Sequence, residues 1–225
     1  RVDILQCIAV GLTILLLLRI FIKRDNIFYT VLVLLDLFVL AYSPIAWQTD
    51  YSKFMPLAIA NYFNRMHDSL FPLFPWIAFI FTGALVGKFY SDAKQKNSEL
   101  LVIKQLSFVG LILFFISVLF LNVLFPDSWV NVKPNYFFFT ERLGVLFALL
   151  GIFWFYINRF ENYNSFILDV SRESLLVYWL HLKILYKEIW DDKNIIEIFG
   201  SELNLLECLL ITIVIEIGRA SCRKE

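Results

Sequence analysis

The sequence predicts an all-α fold, a polytopic transmembrane helix bundle with about seven spans. Hydrophobic residues make up 60% of the 225-residue chain, whereas soluble domains are about 45–50% apolar. The mean hydropathy is +0.71. The apolar residues fall into runs of about 16–22, each long enough to cross a hydrocarbon core of about 30 Å. These runs lack the apolar–polar alternation of barrel strands, so each must satisfy its backbone as a helix.

The first three spans are separated by connections of very different length. A tight polar turn, Lys23–Asn26, follows the first apolar run, and a long amphipathic connection, Trp47–Phe71, follows the second. The third run opens with prolines 72 and 75, which suit a helix start because the missing N–H would have no helical partner. Gly83 and Gly87, spaced by four, predict close packing on a neighbouring helix. The predicted spans are Ile4–Ile22, Ile27–Ala46 and Pro72–Tyr90.

Four further apolar runs follow, separated by shorter polar segments. The segments between them are Ser91–Glu99, Pro126–Asn135, Asn158–Ser165 and Lys187–Glu202. The corresponding predicted spans are Leu101–Phe125, Tyr136–Ile157, Phe166–Tyr186 and Leu203–Ile217. Residues 1–218 therefore form one predicted transmembrane domain. Because the chain starts with Arg1 next to an apolar run, we expect this domain to be N-terminally incomplete. Residues 219–225 form a polar tail whose native origin stays open.

The charge pattern predicts orientation and excludes some classes of function. Lys and Arg are denser in the alternate loops that contain Lys23, Arg24, Lys94 and Lys96, so we expect these loops to face the cytoplasm of a bacterial inner (plasma) membrane. The net charge is zero, which gives no basic field for nucleic acid. The three cysteines have no metal-binding spacing. No nucleotide-binding or zinc-peptidase motif is present.

Charged residues within the spans are candidates for function, because placing them in a bilayer costs a few kcal/mol on insertion scales. Asp36 lies in the middle of the second span, either as a structural carboxylate bonded to a neighbouring helix or as a binding or proton-relay residue. Glu141 and Arg142 open the fifth span, either as interface anchors or as substrate-binding residues.

The two histidines are candidate catalytic residues. His181 shares a helical face with Ser174 and Tyr178, because the three are spaced by four and three residues. His67 stands beside Asp68, and a neutral imidazole next to a carboxylate is suited to general-base chemistry. The alternatives are a hydrogen-bonded structural histidine for His181 and a solvated loop histidine for His67.

Two segments resemble a known family. The sequence Phe71-Pro-Leu-Phe-Pro-Trp-Ile-Ala-Phe-Ile-Phe-Thr-Gly83 resembles the opening of a glycine-bearing helix in the heparan-α-glucosaminide N-acetyltransferase-like family. The sequence Ser174-Leu-Leu-Val-Tyr-Trp-Leu-His181 resembles a late Ser-Leu-x-x-Tyr-x-x-His helix of the same family. Asp68, Pro72, Pro75 and Trp76 match the first motif, and Tyr178 and His181 match the second.

The resemblance implies a membrane enzyme that passes an acyl group, typically from acetyl-CoA, to a sugar hydroxyl or amine. Acyl transfer needs a base for the acceptor proton and donors for the developing oxyanion, which His, Tyr and Ser side chains can supply. The family resemblance also implies a helix with an Asp-Arg-Gly-type motif. Residues 1–225 contain no such motif. The candidate catalytic residues are His181, Tyr178, Ser174, His67 and Asp68, and the candidate substrate-binding residues are Arg142, Glu141, Trp76 and Asp36.

Two other classes of function stay open beside the acyltransferase. One is a transporter or channel whose pathway is lined by Asp36, Arg142 and His181, although no inverted halves are visible in the sequence. The other is a non-catalytic membrane scaffold. The expected partners are the lipid bilayer and a glycan or sugar acceptor, and self-association as a homo-oligomer is left open.

Overall fold

The computed structural model describes residues 2–67, 69–124, 133–159, 188–190 and 193–194. The chain divides into two units, Arg1–Asn158 and Arg159–Glu225. The described helices are α1 (Ile4–Phe21), α2 (Asp25–Gln48), α3 (Leu57–Ala60), α4 (Leu73–Gln95), α5 (Glu99–Leu119) and α6 (Tyr136–Arg159). A 3-10 turn covers Tyr51–Lys53, and a π-helical turn, Phe120–Leu124, continues α5.

Five helices within the described residues are long and apolar enough to cross a membrane: α1, α2, α4, α5 and α6. The protein is therefore an integral membrane protein, and the first five predicted spans are confirmed. The shortest of the five has 18 residues, which at 1.5 Å per residue reaches about 27 Å. The sixth and seventh predicted spans, Phe166–Tyr186 and Leu203–Ile217, lie outside the described residues.

The second unit contributes two short antiparallel strands, β1 (Glu188–Trp190) and β2 (Lys193–Asn194). Glu188 pairs with Asn194 and Trp190 with Lys193, with an irregular register between the pairs. Both strands lie inside the predicted connection Lys187–Glu202, where the all-α prediction did not include them. A hydropathy pattern does not detect such a pair, because the strands are too short to show an alternation.

Local chemistry shifts the helix ends away from the ends of the apolar runs. Asp3 caps α1, accepting from the Ile4 N–H at 2.7 Å, while Gln6 accepts from the Asp3 N–H at 2.9 Å. The third span continues to Gln95 rather than Tyr90, because Lys88 and Asp92 form an i,i+4 ion pair at 2.6 Å on its polar end. The fourth span leaves α geometry at Phe120, a change of helix type that hydropathy cannot distinguish.

The core of the first unit lies between α2 and α4, with one contribution from α6. Leu32 and Ala78 are fully buried, and Phe28, Val39, Ile77, Phe81 and Phe139 complete the buried cluster. By contrast, large apolar side chains on the outer helix faces are exposed, such as Leu34 and Leu37 on α2 and Phe115 on α5. Lipid chains cover such faces at no hydrophobic cost. An apolar outer surface is therefore the one expected of a helix bundle in a membrane.

Close helix packing occurs between α5 and α6, and not at the predicted pair Gly83 and Gly87. A Cβ at either of those glycines would meet no atom of the described residues within 4 Å. A Cβ at Gly144 would instead lie 2.6 Å from the carbonyl oxygen of Gly110, so the two backbones touch there. Nearby, the hydroxyls of Ser117 and Thr140 are hydrogen-bonded at 2.7 Å. Within the described residues the close packing predicted at Gly83 and Gly87 is not observed, because spacing by four marks a helical face and not what covers it.

Replacing Gly144 by alanine is expected to separate α5 from α6, because the added methyl group overlaps the Gly110 carbonyl. Overpacking of this kind costs about 1–3 kcal/mol. We expect a lower thermal unfolding midpoint for Gly144→Ala in detergent, measured by the reactivity of buried thiols or by light scattering. The matched control is Gly83→Ala on α4, which adds the same methyl group in open space. Equal midpoints for the two variants would contradict the close contact.

Candidate functional site

Residues 49–72, which we call the connecting segment, join α2 to α4 at one end of the bundle, called here the loop end. The segment starts with the carboxylate of Asp50, which accepts from the Ser52 N–H at 3.1 Å and from the Ser52 hydroxyl at 2.6 Å. Asn64, which is 1% exposed, donates to the Thr49 carbonyl at 2.5 Å and accepts from the Met66 N–H at 3.1 Å. The buried side-chain amide of Asn64 thus links Thr49, at the start of the connecting segment, to Met66 in its second half.

Backbone and indole hydrogen bonds fasten the connecting segment to three membrane helices. The Trp47 indole donates to the Phe74 carbonyl at 2.6 Å, across 27 residues. The Phe74 carbonyl does not point along the helix axis, because Phe74 precedes Pro75 and has extended angles, φ −92° and ψ 122°. The N–H groups of Leu70 and Phe71 donate to the Val2 carbonyl at 3.1 and 3.2 Å, beside the start of α1. The loop end is therefore held by α1, α2 and α4 together.

His67 faces Asp50, a carboxylate that the sequence reasoning did not select. The His67 Nε2 atom lies 3.7 Å from the Asp50 Oδ1 atom and is shielded from solvent without a hydrogen-bond partner. The hydrogen bond from the Ser52 side chain is the main reason that the pKa of Asp50 lies below its ordinary value. Asp50 is thus an anion beside the imidazole. Asp68, the partner expected from the sequence, lies outside the described residues.

Trp76 is the centre of an aromatic cluster that joins α4 to α6. Its ring centroid lies 5.0 Å from that of Phe71 and 5.5 Å from that of Phe138, edge to face in both cases. The guanidinium carbon of Arg142 lies 3.5 Å from the Phe138 ring centroid. Arg142 Nη1 also lies 3.6 Å from the Glu141 carboxylate. Phe138 therefore brings three predicted binding residues, Trp76, Glu141 and Arg142, into one region.

Several buried polar atoms at the loop end have no partner in the part of the chain that the structure describes. They belong to residues between 61 and 76, which we call the loop-end cluster: Asn61 Oδ1, Ser69 Oγ and Trp76 Nε1. Asn61 is 5% exposed and Ser69 is 1% exposed. Leaving such a group unpaired costs about 1–3 kcal/mol. Because the set contains both donors and acceptors, it matches a ligand that carries hydroxyl or amine groups.

Asp36 is separate from the loop-end cluster. It is 9% exposed, and its Oδ2 atom accepts from the Thr82 hydroxyl at 2.8 Å, while Oδ1 is buried without a partner. Thr82 follows Trp76 by six residues on α4, a rise of about 9 Å towards the middle of the bundle. The structure thus confirms a bundle-facing carboxylate bonded to a neighbouring helix. It does not bring Asp36 together with the histidine.

The opposite end of the first unit has an open groove at the turn between α1 and α2. It has a volume of about 740 Å³ and is lined by Arg19, Lys23, Arg24, Asp25, Asn26 and Ile27. Arg19 is paired with Asp25 at 2.7 Å, whereas Lys23 and Arg24 are exposed. These cations, next to the start of α2, are the described residues best suited to hold phosphate groups. Among the described residues, no group of three or more His, Cys, Asp or Glu side chains could hold a metal ion.

The remaining predicted site residues, Ser174, Tyr178 and His181, lie outside the described residues. The residues that sequence reasoning missed are Asp50, Asn61 and Ser69. Asp50 had one local signal, the Asp-x-Ser spacing that forms a side-chain turn with Ser52. Its pairing with His67, 17 residues later, had no signal in a single sequence.

The five described apolar helices long enough to cross a bilayer define the class of this protein as an integral membrane protein. Residues 1–130 match the family model described as heparan-alpha-glucosaminide N-acetyltransferase, catalytic, and the chain belongs to this family. The match covers α1 to α5 and the connecting segment, with His67 and Trp76, but not Glu141 or Arg142. Neither curated proteins nor solved structures gave a significant match. The resemblance inferred from the two motifs is thereby confirmed at the level of the family, a membrane acyltransferase family that uses acetyl-CoA.

Replacing Asn64 by alanine is expected to destabilise the connecting segment, because the Thr49 carbonyl and the Met66 N–H both lose their partner. Each lost buried bond costs about 1–3 kcal/mol. The control is Asn158→Ala, which removes one exposed side-chain bond to the Trp154 carbonyl and should change stability by less than about 0.5 kcal/mol. Thermal unfolding in detergent measures both. A smaller loss for Asn64→Ala than for Asn158→Ala would contradict the role of the buried amide.

Asp50 is expected to make stability depend on pH in the acidic range. Because its pKa in the folded state is lowered, its stabilising effect is present above the ordinary value of about 4 and is lost as the pH falls through the folded value. Asp50→Asn should therefore weaken the decrease in unfolding midpoint between about pH 5 and pH 3. Asp25→Asn, which changes a carboxylate at the opposite end, is the control. Identical pH profiles for wild type and Asp50→Asn would contradict this assignment.

Proposed function

We propose that this protein transfers an acetyl group from acetyl-CoA to an amine or hydroxyl group of a sugar or a cell-envelope glycan. The observation that carries the proposal is the family match over residues 1–130, which includes the whole connecting segment. The loop-end cluster supports it, since its unpaired donors and acceptors suit a polyhydroxylated acceptor. The bacterial inner membrane as location, and self-association, stay predictions.

In this proposal His67 acts as the general base. Asp50, 3.7 Å from Nε2, orients the imidazole and stabilises its protonated form, so that the other ring nitrogen accepts the proton of the attacking amine or hydroxyl. Acetyl-CoA supplies the activated acetyl thioester. The proton taken by His67 then passes to the departing thiolate, which leaves as free coenzyme A. The half-buried Trp76 and the buried Asn61 would hold the acceptor in a region that excludes water.

The other candidate residues have proposed roles around the same reaction. Arg142 and Glu141 would bind the outer part of the acceptor, because Phe138 places them beside Trp76. Ser174, Tyr178 and His181 are proposed as further catalytic residues from the resemblance of their helix to the family motif. Asp36 is proposed to offer its unpaired oxygen to a donor group of a substrate within the bundle.

The test is acetyl transfer by the protein in proteoliposomes supplied with labelled acetyl-CoA and a panel of amino sugars and neutral sugars. We expect labelled acetyl-sugar and an equal amount of free coenzyme A. His67→Gln should lower kcat by about 10²–10⁴-fold, the range for a lost general base. It should also flatten the decrease of kcat/KM at acidic pH. Asn158→Ala, at an exposed site on α6, is the control and should retain full activity.

Two outcomes would contradict the proposal. In the first, no acceptor in the panel leads to release of coenzyme A, while the same proteoliposomes take up a solute. The transporter interpretation then replaces the acetyltransferase, and Asp36→Asn tests the role of the buried carboxylate in uptake. If acetyl transfer occurs and His67→Gln retains wild-type kcat and pH profile, the reaction stands and His67 is not its base.

A further inference from the structure

The connecting segment exposes large apolar side chains although it is not part of a span. Phe54 is 80% exposed, Leu57 is 53% exposed and Ile59 is 52% exposed. These three residues, which we call the apolar face of the segment, lie in a stretch of ten residues, 54–63, that contains no charged side chain. Exposed apolar side chains gathered in one short uncharged stretch are costly in water and mark a contact with a partner.

A chain of contacts places this segment on the lipid-facing side of α2. Phe38 on α2 is 57% exposed and lies in the middle of a span, so its ring faces lipid. It stacks on Tyr42 with a centroid distance of 5.5 Å and an angle of 8°. The Tyr42 hydroxyl is hydrogen-bonded to the Tyr51 hydroxyl at 3.1 Å. Phe54 follows directly, its N–H donating to the Tyr51 carbonyl at 3.0 Å. Phe54 therefore stands next to a series of aromatic contacts that begins on the exposed side of α2.

The residues around the apolar face have the chemistry of a membrane interface. Lys53, whose side chain is 70% exposed, and Arg65 stand at the two ends of the uncharged stretch, where long cationic side chains reach the headgroups. The Arg65 guanidinium lies 5.7 Å from the Trp47 ring centroid, and Trp and Tyr are enriched at this depth. Burial and the hydrogen bond with Tyr42 raise the pKa of Tyr51 to about 12.

We propose that Phe54, Leu57 and Ile59 seat the connecting segment in the interfacial layer of the bilayer, among lipid headgroups and the first acyl carbons. The partner of this surface is the lipid of the membrane itself. The series of contacts that begins on the exposed side of α2 favours lipid over a second copy of the chain or another part of the protein. The proposal goes beyond acetyl transfer and holds whether or not that reaction occurs.

Site-specific fluorescence in vesicles tests the proposal. The full chain carries Cys208→Ser and Cys222→Ser, while Cys7 is buried and stays unlabelled. A single cysteine at Phe54, Lys53 or Leu34 is labelled with an environment-sensitive fluorophore. The protein is then placed in phosphatidylcholine vesicles containing lipids spin-labelled either near the headgroup or deep in the acyl chain. Lys53→Cys is the neighbouring exposed control, and Leu34→Cys, 61% exposed in mid-span, is the deep control.

We expect the label of Phe54→Cys to emit at shorter wavelength than that of Lys53→Cys. The shallow spin label should quench it at least two-fold more than the deep one, and Leu34→Cys should show the reverse order. Emission at Phe54→Cys like that at Lys53→Cys, with no lipid quenching, would place the face in water and overturn the proposal. A blue-shifted emission that neither lipid label quenches would also overturn it, because the face would then be covered by protein. Leu57→Cys provides a second position should Phe54→Cys fold poorly.

Discussion

The packing of α2 against α4 is the contact on which the rest of the described structure depends. Leu32 of α2 and Ala78 of α4 are fully buried in it, and the small alanine allows the two helices to approach closely. The same pair carries the Asp36–Thr82 hydrogen bond in its middle and the Trp47–Phe74 hydrogen bond at the loop end. In lipid, helices associate through packing and interhelical hydrogen bonds, not through apolar burial alone. This one helix pair supplies both, and it sets the separation of the two anchors of the connecting segment.

The apolar surroundings of the bundle also restrict where polar side chains can lie. A polar side chain in an apolar bundle has few partners, so each one must be paired within the protein or reserved for a ligand. Ser117 and Thr140 pair with each other between α5 and α6. Ser43 instead returns its hydroxyl to the Val39 carbonyl of its own helix. Against this background the unpaired atoms of Asn61, Ser69 and Trp76 stand apart. Asn61 and Ser69 belong to the connecting segment, and Trp76 lies in the first turns of α4, which follows it.

Sequence reasoning predicted the features that depend on composition and length, and missed those that depend on which surfaces meet. The first five spans were predicted because an apolar run of that length has one backbone solution in lipid. Prolines 72 and 75 correctly indicated where the third span begins, because α4 starts at Leu73, directly after Pro72. The Asp50–His67 pair and the Trp47–Phe74 bond were not predicted, because they join residues 17 and 27 positions apart. Gly83 and Gly110 look equivalent in sequence, yet only Gly110 touches a neighbouring backbone.

The connecting segment combines two properties that would be contradictory in water. It turns apolar rings such as Phe54 outward and keeps polar groups such as Asn64 inward. In a soluble loop this arrangement would cost free energy twice, through exposed apolar area and through desolvated amides. At a bilayer surface the outward rings meet lipid, and the inward polar groups are held by the Thr49 and Met66 backbones or are available to a ligand. The interfacial position proposed for the segment therefore accounts for both properties at once.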